Sequence, residues 1–363
     1  MSAAQAATAI AAGWMQTQSD VEIELKPLSD GGPGFAAAMA ASHGVEMCET
    51  WVRGPLGTEV LASWAIADGV AFIESAAACG LALLNPDQRN PAITSTYGVG
   101  ELIAAAIKAG ARHIVVGLGG SATNDAGMGA LAALGARACN SAGNDISEVL
   151  AQGGLGLREI STVDLEPAIT ALGEVTLEIA TDVDNPLLGS RGATNEYAPQ
   201  KGADIDLVMK LEGSLVHIAN LVGRRADGKD PAVALGAGAA GGLGFGLLSI
   251  GASRSAGISR IMEASGFSEL LDWADLVVTG EGCFDWQSLR GKVVTGVSRA
   301  ALNLGKPVVV LAGQVAIGRR EWTTIGVSGA YAMVDFVEES VSFSEPEVSL
   351  TQTAARVART WQV

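Results

Sequence analysis

His113-Ile114-Val115-Val116 runs straight into Gly117-Leu118-Gly119-Gly120-Ser121-Ala122-Thr123-Asn124-Asp125. A short, mostly β-branched apolar run bounded by glycine reads as a strand buried on both faces. Three glycines in the next four residues let the chain turn sharply and approach a ligand closely. The pattern predicts a helix from Asn124 to Leu134. A strand, a glycine loop and a helix start in that order suit an anion, because main-chain N–H groups and the helix dipole point at it. A tight turn capped by Asn124 or Asp125 accounts for the same residues.

Outward from this loop, strand and helix signals alternate. Helical patterns cover 3–17, 34–42, 98–109, 204–222, 257–265, 293–303 and 350–361, with a Gly-rich helix start at 236–248. Strands are expected at Val21–Leu25, Val70–Ile73, His113–Val116, Val175–Ala180, Leu276–Thr279 and Pro307–Leu311, with turns at Gly54-Pro55 and Asp68-Gly69. Such alternation indicates parallel βαβ units, hence an α/β fold. The 363 residues suffice for two domains of ordinary size, and the polar stretch Arg224 to Asp230 reads as a linker.

Net charge is −16, from 23 basic and 39 acidic residues. That balance argues against a nucleic-acid or anionic-membrane partner, both of which need a positive footprint. Cys48, Cys79, Cys139 and Cys283 lie far apart, and His43, His113 and His217 form no cluster. Neither a disulfide framework nor a zinc site is expected, and a cytoplasmic location is. The N-terminus has no basic n-region, and the most apolar stretch, Val70 to Leu84, is interrupted by Glu74.

Three further segments carry candidate chemistry. Thr279-Gly280-Glu281-Gly282-Cys283-Phe284-Asp285 through Lys292 follows an apolar strand. Glu281, Asp285 and Lys292 there offer metal binding, hydroxyl activation and a cation for developing charge; a solvated loop is the bland alternative. Asp182 ends a strand in Ala180-Thr181-Asp182-Val183-Asp184-Asn185-Pro186, where Asp184 reads as turn chemistry. Asp30, in Ser29-Asp30-Gly31-Gly32, ends a strand before a helix, and an Asx turn explains it equally well. No P-loop motif occurs. Gly236-x-Gly238-x-x-Gly241 matches the dinucleotide fingerprint but lacks a convincing strand before it, so its glycines are read as letting a helix pack closely or as framing a second turn.

Taken in order, these segments resemble the glycerate kinase family that has no P-loop. The family's patterns A-D-G-G-E-G-T, G-x-G-G-S-A-T-N-D-G-G, D-V-x-N-P-L-x-G, G-P-Q-K-G-A, G-A-G-A-A-G-G and G-E-G-x-x-D-x-Q-T-x-x-G-K fall at Ser29–Phe35, Gly117–Gly127, Asp182–Gly189, Ala198–Ala203, Gly236–Gly242 and Gly280–Lys292. The resemblance implies two α/β domains, Rossmann-like and flavodoxin-like, one inserted in the other. The expected boundaries are 1–45 plus 230–363 for the discontinuous domain and 46–229 for the inserted one. It implies transfer of a phosphoryl group from ATP to D-glycerate with Mg²⁺, most often to the 2-hydroxyl. Gly119, Gly120, Ser121, Asn124 and Lys201 would hold phosphate or the substrate carboxylate. Asp30, Asp182, Glu281, Asp285 and Lys292 would be catalytic, with Asp182 and Glu281 on the metal. A homo-oligomer is left open.

The chain also departs from the family. Pro33 and Phe35 stand where Glu and Thr are usual, Ala126 replaces Gly, and Cys283 and Trp286 replace polar residues. Family members usually begin with a strand and loop of the type I-A-P-D-S-F-K-G-S, and Met1-Ser2-Ala3-Ala4 lies inside that pattern. The expectation is a sheet with unpaired edges beside the absent strand. An upstream start and an impaired form that binds without turnover both remain open. An NAD-dependent oxidoreductase built on the Gly236 loop is the third reading.

Overall fold

The structure, a computed structural model, describes residues 1–28, 32–255, 262, 266–290 and 293–361. The chain divides into two compact units, a larger one spanning Asp30–Gly257 and a smaller one formed by Met1–Ser29 with Ile258–Val363. The larger unit is thus inserted in the sequence of the smaller. The divisions fall at 29/30 and 257/258, whereas the sequence reading set them at 45/46 and 229/230. The reason is local packing. Phe35 is buried against Phe72, ring centroids 6.3 Å apart, so the helix Phe35–His43 belongs to the larger unit's core.

The larger unit carries strands β1 (Cys48–Arg53), β2 (Glu59–Ala67), β3 (Val70–Glu74), β4 (His113–Gly117), β5 (Arg137–Cys139), β6 (Thr162–Asp164), β7 (Thr176–Ala180) and β8 (Ser253–Ser255). Six of them form one sheet in the order β1-β2-β3-β4-β7-β8, and β5 and β6 form a separate two-stranded ladder. β1, β2 and β3 run antiparallel, and β3, β4, β7 and β8 run parallel. The β2–β3 hairpin turns on Asp68 and Gly69, whose φ angles of 51° and 79° match the twist of two-residue hairpin loops. In the helix Tyr97–Lys108 the buried residues Val99, Leu102, Ile103 and Ala106 make one apolar stripe. Register then aligns the strand ends: Glu74 lies opposite Gly117, Gly117 opposite Ala180, and Ala180 opposite Ser255. Everything that follows β3, β4 and β7 therefore leaves from one edge of the sheet, where open parallel sheets hold ligands.

In the smaller unit β9 (Val277–Phe284), β10 (Val308–Val315) and β11 (Gly329–Ala332) form a parallel sheet in the order β11-β10-β9. The helix Ala3–Met15 starts with a capping box between Ser2 and Gln5 and lies against the helix Pro346–Ala358. Thr17 ties the two together by donating to the Ala355 carbonyl at 2.8 Å. Among the described residues β9 is an edge strand. A cavity of about 1150 Å³ borders it, lined by Thr279, Glu281 and Cys283 of β9 and by Val21, Ile23 and Leu25.

The alternating Val21–Leu25 was expected to be a strand, and it is not one. Val21 and Ile23 pack on the unit's core while Glu22 and Glu24 are exposed, but the segment joins no ladder among the described residues. Alternation sets which side chains face inward; a strand also needs a partner for its N–H and C=O groups. β9 conversely runs on to Phe284, beyond the expected end at Thr279. The helix foreseen over 124–134 covers only Met128–Ala133, because Ala126 and Gly127 take positive φ angles of 56° and 73°. The final helix begins earlier, at Pro346, with proline in its first turn where the missing N–H costs nothing. The helix expected at 257–265 lies almost wholly outside the described residues.

Candidate active site

In the larger unit the glycine loop leaves the end of β4 and is bolted down on all sides. Leu118 N donates to Ala180 O at 3.0 Å, Leu81 N to Gly120 O at 2.8 Å and Ala122 N to Cys79 O at 2.7 Å. Thr94 Oγ1 donates to Ala122 O at 2.8 Å. Gly120 has φ 69°, and a Cβ there would stand 3.1 Å from Pro33 Cγ, so this position requires glycine. Gly120 is exposed, Gly119 half-buried, and Ser121 only 4 % exposed. What the loop presents outward is main chain at Gly119 and Gly120.

Ser121 faces inward. Its Oγ accepts from Lys201 Nζ at 3.0 Å, and the same Nζ donates to Thr123 O at 2.7 Å. Lys201 is 2 % exposed, so it was expected at a ligand but lies beneath the loop. Burial pushes its ammonium pKa down to about 8, opposed by Cys79 and Asp125. Burial, with Asp125, pushes the Cys79 thiol up to about 12, against Lys201 and a hydrogen bond with Thr123.

Asn124 does not open a helix. It is fully buried, and its Nδ2 donates to Thr194 Oγ1 at 3.1 Å. The capping role falls to Asp125. Its Oδ2 accepts from Thr96 N and Thr96 Oγ1, each at 2.8 Å, and from Gly129 N at 3.3 Å, while Oδ1 accepts from Gly127 N at 3.1 Å. Burial raises the Asp125 carboxyl above the usual range, and those four hydrogen bonds oppose the shift.

Asp182 follows the end of β7, the strand paired with β4, and is half-buried. Asp184, two residues on, is exposed and pairs with Arg254 of β8 at 2.7 Å. Asn185 clamps the rest of that loop by donating to Arg191 O at 2.7 Å and accepting from the Tyr197 hydroxyl at 2.9 Å. The Gly236–Gly242 segment follows the 3₁₀ turn Pro231–Val233, not a strand, which removes the context of a dinucleotide fingerprint. Its glycines serve contact instead. Gly241 has φ 67°, and a Cβ there would stand 1.9 Å from Thr123 O. This segment supports the 123–127 turn from behind, with Ala126 N donating to Gly241 O at 3.2 Å.

Glu74 was read in the sequence only as a break in an apolar run. It ends β3 in register with Gly117, and its Oε2 accepts from Gly34 N at 2.7 Å. Burial raises its carboxyl, against hydrogen bonds from the Gly34 and Phe35 main chain. No spacing around it distinguishes it beforehand from any acid at a strand end. Of the departures from the family pattern, Phe35 is core and Pro33 abuts the glycine loop.

In the smaller unit Glu281 and Cys283 are successive same-face residues of β9, so Glu281 belongs to the strand and not to the loop after it. Glu281 is half-buried and Cys283 exposed. Asp285 Oδ1 accepts from Gln287 N at 2.8 Å and Ser288 N at 3.2 Å, and Asp285 N donates to Ser288 Oγ at 3.0 Å. These bonds make Asp285 the organiser of its own turn. Asp30 and Lys292 lie outside the described residues. Among the described residues no group of three or more His, Cys, Asp or Glu side chains is arranged to hold a metal ion, and no helix is long and apolar enough to cross a membrane.

Comparison with known proteins carries the reading further. The glycerate kinase family model matches residues 1–362. A glycerate kinase of Halalkalibacterium halodurans is 38 % identical over 359 residues, 98 % of this chain and 93 % of that protein. A glycerate 2-kinase of Escherichia coli K12 is 41 % identical over 319 residues, 87 % of this chain and 82 % of its own length. A crystal structure described as glycerate kinase 2 of Salmonella typhimurium LT2 superposes with a TM-score of 0.77 at 37 % identity, covering 99 % of this chain and 94 % of that one. With the ordered motifs and the two α/β units, these likenesses leave one assignment: the chain belongs to the glycerate kinase family.

Proposed function

We propose that this chain transfers the γ-phosphoryl group of ATP to D-glycerate, and that the acceptor is the 2-hydroxyl. The hydroxyl oxygen attacks phosphorus, the bond to the β,γ-bridging oxygen breaks, ADP leaves, and the hydroxyl proton passes to a base. The observation that carries the reading is the shared sheet edge of the larger unit, where the Gly119–Gly120 main chain and Asp182 issue from paired parallel strands. Main-chain N–H groups at such a loop suit a phosphate or carboxylate, and a carboxylate beside them suits hydroxyl orientation. The name of the Escherichia coli relative favours the 2-position.

Asp182 and Glu281 are, by family resemblance, each a candidate magnesium ligand. One or two carboxylates are the usual protein share for that ion, so the lack of a three-residue cluster among the described residues is compatible with it. Magnesium supplies neutralisation of charge on the β- and γ-phosphates. Asp30 and Lys292 are further catalytic candidates by family resemblance; Asp285, which the resemblance names with them, is assigned to ordering the turn after β9. The four free cysteines suit a reducing, cytoplasmic setting.

A coupled assay of ADP release with and without D-glycerate tests the proposal. Glycerate-dependent release is expected, and its absence in folded protein that still binds ATP would establish the impaired reading instead. Coupling the product directly to enolase, with no mutase added, reads the position: immediate consumption is expected for the 2-phosphate.

A further inference from the structure

We propose that Lys201 is a positioning residue for this reaction: its ammonium holds the Gly119–Ser121 loop in shape from beneath, through the Ser121 hydroxyl and the Thr123 carbonyl. The inference deepens the kinase reading and rests on it. An ammonium in the interior is expensive unless its donors are satisfied, and an apolar chain of the same length would fill the space at less cost. A buried charge held by a hydroxyl and a carbonyl, with no carboxylate in direct contact among the described residues, thus points to work done by the charge itself.

The geometry says what that work is. The side chain enters from the 3₁₀ turn Pro199–Lys201, and Gly202 behind it has φ 100° with a hypothetical Cβ only 2.4 Å from Arg89 O. The stem is therefore aimed by a turn that tolerates little change. Its tip draws Ser121 Oγ and Thr123 O inward. Gly119 and Gly120 are left as the outward-facing part of the loop. At 2 % exposure Nζ cannot touch a ligand on the outer face. It acts through the loop, and adds positive potential under a site meant for an anion. Among the described residues the ionisable groups facing it are Cys79, at the end of the helix Ser75–Cys79, and Asp125, beyond the loop.

The test compares the full-length wild type with Lys201→Met and Lys201→Arg in steady-state assays with ATP and D-glycerate across neutral to alkaline pH. Lys201→Met should lower kcat/KM by about ten- to a hundredfold, the scale of a lost charge-assisted contact. Lys201→Arg should recover part of it. The wild-type kcat/KM should fall as pH rises through about 8, and that limb should vanish in Lys201→Met. Stability should move the other way. Between about 8 and the ordinary 10.5 the unfolded chain holds a proton that the folded chain has released. Unfolding then takes up a proton, so over that window the wild-type melting temperature should gain on that of Lys201→Met.

A lysine kept only for packing would not make activity fall while stability rises. A folded Lys201→Met with kcat/KM within about twofold of wild type would overturn the proposal. If that variant does not fold, a wild-type profile flat through the same pH range overturns it, and a limb there supports it. Absence of glycerate-dependent ADP release in the wild type would instead remove the kinase reading, a different outcome.

Discussion

The loop after β4 and the end of β9 carry similar sequence promise and are built differently. After β4 nearly every polar group is spent inside: Ser121 on Lys201, Asn124 on Thr194, Asp125 on Thr96 and two glycine amides. Only glycine main chain faces out. At the end of β9 Glu281 rides what is, among the described residues, an edge strand beside a large cavity, and Asp285, just past the strand, is fastened to its own turn. The contrast teaches that a motif's polar side chains can serve as scaffold in one place and remain near the surface in another. Burial decides between them, because an interior polar group must be satisfied whereas a surface one is solvated.

The contrast can be broken experimentally. The largest effect should come from Asp182→Asn and Lys292→Ala, each lowering kcat by at least about a hundredfold, the scale of lost charge stabilisation. Near-normal rates in both would remove Asp182 and the segment after β9 from the chemistry together. Next, Gly241→Ala should cost about 2–3 kcal/mol of stability in thermal or denaturant unfolding, from the clash with Thr123 and the positive φ. An unchanged midpoint would mean that the 123–127 turn is not held from behind.

Asp285→Asn should be milder. It retains an oxygen for the turn, so about 1 kcal/mol of stability and a few-fold in rate are expected. A hundredfold loss would make Asp285 a catalytic residue and erase the difference drawn here. The smallest effect belongs to Asp184→Asn, whose exposed pair with Arg254 should contribute no more than about 1 kcal/mol, read as a melting shift that shrinks in high salt.

Much of this was legible in the residues. Short apolar runs ending in glycine or aspartate located β4, β7 and the start of β9 within a residue or two, because such strands announce themselves by composition. The Asp68-Gly69 hairpin announced itself by turn chemistry. Val21–Leu25 failed because alternation says nothing about whether a partner edge is available. Asn124 failed because the positive φ of Ala126, a residue that rarely takes it, delays the helix by four residues.

By itself the sequence determined the α/β class, the order of the motifs and the family, since each depends on local periodicity and on residue types read in succession. Tertiary structure alone decided that Lys201 lies under Ser121, some eighty positions away, and that the Gly236–Gly242 segment braces the turn at Thr123. Those choices arise when distant segments compete for the same interior. There the cost of an unmet hydrogen bond or a buried charge outweighs any local preference.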